Sequence, residues 1–195
     1  VEIAAGKDDQ KKRSVYLCNI SDDLRLIGKI YRSETTAGAA LIIAQDVQYE
    51  YSLGMSLGRI GLALAARGNH EQAELNLHRS LQIRIDQNHQ QSEGLVNAFL
   101  AQLALWKGAP ATARPLANRA WELAAVRCYE GDFIRTARLQ GTAALHLGDL
   151  SVADERLHHA LTRARRVQLL QEELPALIAL AQLHCLQKEP EKARE

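Results

Sequence analysis

Residues 62–83 read LALAARGNHEQAELNLHRSLQI: a small-residue helical face, an abrupt Gly68-Asn69 break, then a second amphipathic run. Forty residues on, the chain reads QLALWKGAPATARPLANRAWEL (102–123), and forty further TAALHLGDLSVADERLHHALTR (142–163). The unit recurs in steady register. Gly68, Gly108, Gly148 and Lys188 are each followed five residues later by Ala73, Ala113, Ala153 and Ala193. Seven residues before each break stand Gly61, Ala101, Gly141 and Ala181, all small.

Two helices joined by a tight turn approach closely only if small residues sit where the backbones cross. Glycine at the break supplies the left-handed geometry that ends a helix without Cβ strain. Asn69 and Asp149 then suit a cap on the next helix, and Pro110 suits its first turn. Larger residues keep the same register: Ile60, Leu100 and Leu180 on the first helix, Leu77 and Leu157, then Leu81, Trp121 and Leu161, on the second. Ser80, Ala120 and Ala160 lie between them. Their spacings form one apolar stripe, which a single hairpin cannot bury but a stack of hairpins can.

Composition agrees. Of 195 residues 47% are apolar and only 5% aromatic, so an all-α chain packed through small side chains is expected. The 24 basic against 23 acidic residues show no bias toward nucleic acid or anionic membranes. The longest uncharged runs, such as TTAGAALIIAQ (35–45), fall short of the roughly 18 residues that span a bilayer. Cys18, Cys128 and Cys185 are scattered and odd in number, which reads as buried thiols in a reduced, cytoplasmic compartment. The chain begins without Met, and its KARE end falls in an expected helix; it reads as part of a larger protein.

The pattern resembles the tetratricopeptide repeat (TPR), whose helix–turn–helix unit has small residues at its eighth, twentieth and twenty-seventh positions. From Gly54 these fall on Gly61, Ala73 and Ser80, with Leu57, Ile60, Leu64 and Leu77 as the larger set. The resemblance implies a right-handed α-solenoid of antiparallel hairpins. Its copies would cover 54–93, 94–133, 134–173 and the start of another at 174–195, with a degenerate copy at 14–53 after an N-terminal segment, 1–13. In that first copy the break is Gly28 and the small site Ser33, and TTAG (35–38) weakens the second helix. Forty residues per copy exceeds the usual thirty-four. The six extra residues are expected to lengthen the second helix and its loop at DQNHQQ (86–91) and YEGD (129–132). This variety is similar to the arrays of MalT-like regulators and other bacterial signal-transduction ATPases; similar lengths occur in animal scaffold proteins.

Signs of chemistry are few. Gly28-Lys29 lacks the Ser or Thr and upstream glycine of a P-loop, and GMSLGRIG (54–61) lacks nucleotide-fingerprint spacing. His158 and His159 are adjacent, as are His184 and Cys185, so neither pair chelates a metal from one helix face. No cofactor or catalytic residue is expected. The basic run RLHHALTRARR (156–166) is flanked by Asp154, Glu155, Glu172 and Glu173 and reads as a solvated helix surface.

The resemblance further implies a concave wall made of first helices. It would carry Met55, then Gln102 and Trp106, then Arg135, Arg138, Thr142 and His146, then Gln182. Arg135 and Arg138, three residues apart, suit a carboxylate, with Trp106 as an apolar anchor. Alternatively the arginines pair with Asp132 or Glu130 and Trp106 fills a gap between repeats. The expected partner is a protein segment, a peptide or a neighbouring domain; a small molecule held around Trp106, Arg138 and His146 is the rival.

Overall fold

The computed structural model describes residues 2–126 and 129–187, with side chains over 6–125 and 129–187. Cys128, Lys188 and Ala193 lie outside the described residues. Among those described, nine helices occur and no strand: α1 (Glu2–Leu26), α2 (Ile30–Asp46), α3 (Glu50–Ala66), α4 (His70–Asp86), α5 (Gln90–Trp106), α6 (Pro110–Val126), α7 (Glu130–Leu147), α8 (Leu150–Arg166) and α9 (Leu170–Leu186).

From α2 onward a helix starts every twenty residues, so each forty-residue copy is two nearly equal halves. The described breaks share one device. Gly28, Gly68, Gly108 and Gly148 adopt positive φ between 70° and 83°, and Gln48, Asn88 and Gln168 do so at 51° to 57°. The next amide then reaches the carbonyl five residues back, as in Lys29 to Leu24 (2.8 Å), Tyr49 to Ala44 (2.8 Å), Asn69 to Leu64 (3.0 Å) and Asp149 to Ala144 (2.9 Å). That bond satisfies a helix-end carbonyl and reverses the chain at once.

The half-repeat corrects several expectations. The additional residues are not confined to the second helix and its loop; α3, α4, α5 and α6 all contain 17 residues. Asp86 ends α4, residues 87–89 turn, and Gln90 opens α5, while Tyr129 precedes α7 and Glu130 begins it. α2 runs unbroken through TTAG, where the Thr35 and Thr36 hydroxyls bond back to the Tyr31 and Arg32 carbonyls. The Asn69 side chain accepts from the Gln72 amide at 3.4 Å. Asp149 makes no such cap; its carboxylate takes the Arg114 guanidinium at 2.9 Å instead. Pro110 does open α6.

The chain divides into two compact units between Ser92 and Glu93. In the first, α1 and α2 cross at serines that bond each other's backbones: Ser21 Oγ to the Ser33 carbonyl (2.8 Å) and Ser33 Oγ to the Ser21 carbonyl (2.7 Å). α3 and α4 cross with Gly61 against Leu77, where a Cβ on the glycine would stand 2.7 Å from Leu77 Cγ. Arg84, on α4, is 2% exposed, where Ala44 and Ala164 occupy the equivalent positions. Its guanidinium lies against Gly54 and donates to the Tyr51 carbonyl at 2.9 Å. Cys18 is buried, with its thiol pKa raised by that burial and Ser56 Oγ 3.3 Å away. Cys185, by contrast, is exposed, because no described helix covers that side of α9, so the buried-thiol expectation fails there.

In the second unit the crossings repeat with other sizes. Gly141 faces Leu157 at the same 2.7 Å, whereas Ala101 and Ala117 share a core with Ala98, Ala120 and Leu139. Glycine meets leucine at two crossings, and alanine meets alanine at the third, so at least one small side chain stands at each of them. The Gly61→Ala substitution is therefore expected to cost about 1–3 kcal/mol through overpacking. In a double-mutant cycle by urea denaturation, Gly61→Ala with Leu77→Ala should cost clearly less than the sum of the single changes; strict additivity would show that the two positions do not share that volume.

Candidate functional site

The expected wall residues of the second unit sit on successive first helices. Gln102, Thr142 and Gln182 hold the same register on α5, α7 and α9, as do Trp106 at the end of α5 and His146 in the last turn of α7. Trp106 is 47% exposed, and His146 and Gln182 are exposed. Thr142 is half-buried and donates its hydroxyl to the Arg138 carbonyl at 2.9 Å. Met55 belongs to α3 of the first unit, where it is half-buried.

Arg135 and Arg138 do converge on a carboxylate, and the chain itself supplies it. Arg135 Nε donates to Glu172 Oε1 at 2.7 Å, and Arg138 Nε donates to Glu172 Oε2 at 2.8 Å. Arg138 Nη2 also reaches Gln102 Oε1 at 3.1 Å, which ties α5, α7 and α9 together. Of the two acids close by in sequence, Asp132 lies 3.5 Å from Arg135, whereas Glu130 is taken by Arg163 and Arg166 of α8. The sequence places Glu172 beside the 156–166 run and does not show its pairing with Arg138 and Arg135, which lie 34 and 37 residues away, off the repeat register. Its place in the first turn of α9, where a helix favours negative charge, was the available signal.

Glu172 is 3% exposed. Burial by itself raises its carboxyl pKa, but Arg138 and Arg135 outweigh that and hold it below the ordinary glutamate range. The arginines of the 156–166 run are similarly engaged. Arg165 pairs with Glu173 at 3.1 Å, and Arg156 and Arg163 lie over the Trp121 and Phe133 rings. The 156–166 run is thus braced against α6, α7 and α9 by its own chain.

Further along α7 and α9 than the arginine brace, an apolar hollow of about 530 Å³ opens between the two helices, lined by Leu145, His146, Ile178, Ala181, Gln182, Cys185 and Leu186. His146 and Gln182 stand among aliphatic side chains, with Ile178 and Leu186 each more than 60% exposed. Among the described residues no cluster of three or more His, Cys, Asp or Glu could hold a metal ion, and no helix is long and apolar enough to cross a membrane.

Two solved structures place this architecture. One is a Podosopora anserina protein described as kinesin light chain-like, with nearly identical TPR-like repeats: 14% identity, 94% of this chain and 91% of that one covered, TM-score 0.68. The fold is a TPR-like helical repeat. The other is BtubC (BKLC) from P. vanneervenii, also 14% identical, covering 97% of this chain and 85% of that one, TM-score 0.70. Identity this low carries the fold and nothing beyond it. No family model matches the sequence, and no curated protein matches it.

Glu172 yields the test of the brace. Its folded pKa lies below the unfolded value, so its stabilisation is present above about pH 4.3 and is lost as pH falls through the folded pKa. Replacing it leaves two partly buried guanidinium groups without their main counter-ion, so Glu172→Gln is expected to cost on the order of 3 kcal/mol at pH 7. Urea denaturation at pH 7 and near pH 3 checks this. The cost should shrink at the lower pH, and a cost equal at both would remove the carboxylate from the stability of this unit.

Proposed function

We propose that the chain is a non-catalytic protein-interaction scaffold, and that its second unit presents the binding surface on α5, α7 and α9. The observation that carries this reading is the apolar hollow between α7 and α9. It is open, aliphatic in lining, and rimmed by two polar residues that can orient a backbone. An apolar side chain of a partner segment would seat there, with Trp106, Gln102 and Thr142 extending the contact along the wall.

Arg135 and Arg138 act on this reading through their brace: a partner carboxylate gains them only by displacing Glu172. The forty-residue copies support a wider setting, in which the array is the sensor or regulatory part of a larger, cytoplasmic, bacterial signalling or transcription-regulating protein of the MalT-like kind. A second reading, favoured by the volume of the hollow, is a small apolar ligand in the same place; such a ligand would raise the melting temperature with its concentration.

Peptide display against the immobilised chain tests the scaffold. Enriched sequences should carry a recurrent large aliphatic or aromatic anchor and should lose about tenfold or more in affinity, roughly 1.4 kcal/mol, on Leu186→Asp. A surface change away from the wall, such as Arg79→Ala, should leave them bound. Enrichment indifferent to Leu186→Asp would move the function elsewhere on the molecule.

A further inference from the structure

Two imidazoles meet where α8 packs on α9. The rings of His158 and His184 have their centres 6.1 Å apart and are inclined at 59°. His158 keeps a polar register, with Asn118 and His78 in the earlier copies. His184 breaks an apolar one: the equivalent positions hold Ala144, Ala104 and Leu64, all buried. A polar ring has thus entered an otherwise apolar seam, and it faces another of its own kind.

His158 is arranged as a ligand. Its Nδ1 lies 3.0 Å from the Asp154 carbonyl and 3.3 Å from Asp154 Oδ1, both acceptors, so the ring proton sits on Nδ1 and the lone pair on Nε2. Acceptors on the far nitrogen are what orients metal-binding histidines and raises their basicity. The side chain is 52% exposed, so an ion reaches it from solvent. An ion held about 2.0–2.1 Å from one nitrogen of each ring stands roughly 3.2 Å from each ring centre, so centres up to roughly 6.4 Å apart can share it. The observed 6.1 Å lies inside that limit but close to it. Such a separation calls for a wide angle at the metal, which suits tetragonal copper(II) or nickel(II) better than tetrahedral zinc.

We infer that His158 and His184 form a two-histidine site for a divalent, tetragonal transition-metal ion, copper(II) or nickel(II), which bridges α8 and α9. Water fills the remaining positions. Two protein ligands hold such an ion reversibly and less tightly than the closed set of a structural site. Because only the folded arrangement brings the two rings together, the ion stabilises the second unit. Neither histidine lines the hollow between α7 and α9, so the site is separate from the surface assigned to a partner.

Nickel chloride titrated into the untagged 195-residue chain near neutral pH tests the inference, with nickel chosen because it does not oxidise the cysteines. Calorimetry should find one ion per chain, and the melting temperature should climb with nickel concentration; magnesium chloride should do neither. His184→Ala installs the residue of α5 and α7, and His158→Asn that of α6, so both variants should keep their helicity. Each should weaken nickel binding about tenfold or more. Cys185→Ser, and His70→Ala combined with His78→Ala, should leave it unchanged. Failure to form a one-to-one complex, full binding by either of the His158 and His184 variants, or loss of binding in the cysteine or His70/His78 controls overturns the proposal.

Discussion

The close crossing of two helices within a hairpin is the constraint from which the other features of this fold follow. At Gly61 and Gly141 there is no room for a Cβ, because a leucine from the following helix fills that space. Helices so close must be joined by an immediate reversal, and the left-handed residue at each break supplies it with one backbone bond. Close crossing also exposes the outer apolar stripe of each hairpin, which only a neighbouring helix can cover. Stability is then local and serial, as in other helical repeats.

Against this apolar regularity, each unit holds one conspicuous polar substitution. In the first unit, buried Arg84 occupies a position that is alanine elsewhere, with its guanidinium placed over the bare backbone of Gly54 and the Tyr51 ring. In the second, Arg138 stands where Gly58 and Ala98 stand in earlier copies, and its charge is met by buried Glu172 from the next first helix. Buried pairs of this kind add little net stability over apolar packing but are costly to break. Here Arg138, through Glu172 and Gln102, also ties three first helices together.

The hollow lies on a first helix, α9, and among the described residues no second helix packs on it. Its lining is that of an interior, aliphatic save for His146 and Gln182. A surface of this composition has a large driving force for burial and little specificity of its own. Specificity has to come from the polar rim of His146 and Gln182.

Much of this was readable in the amino-acid order. Helical class, the forty-residue period, the small crossing residues and the breaks at Gly28, Gly68, Gly108 and Gly148 all depend on local sterics, which recur in register. The intervening break at Asn88 showed only as a loop at 86–91, and those at Gln48 and Gln168 did not show, because glutamine turns left-handed at some strain and carries no glycine signature. The union of Arg135 and Arg138 with Glu172, the Arg114–Asp149 pair that replaced a helix cap, and the exposure of Cys185 were decided in three dimensions. Charge pairing and solvent exposure depend on which helix faces lie side by side, and periodicity along one chain carries no record of which long side chain reaches which neighbour.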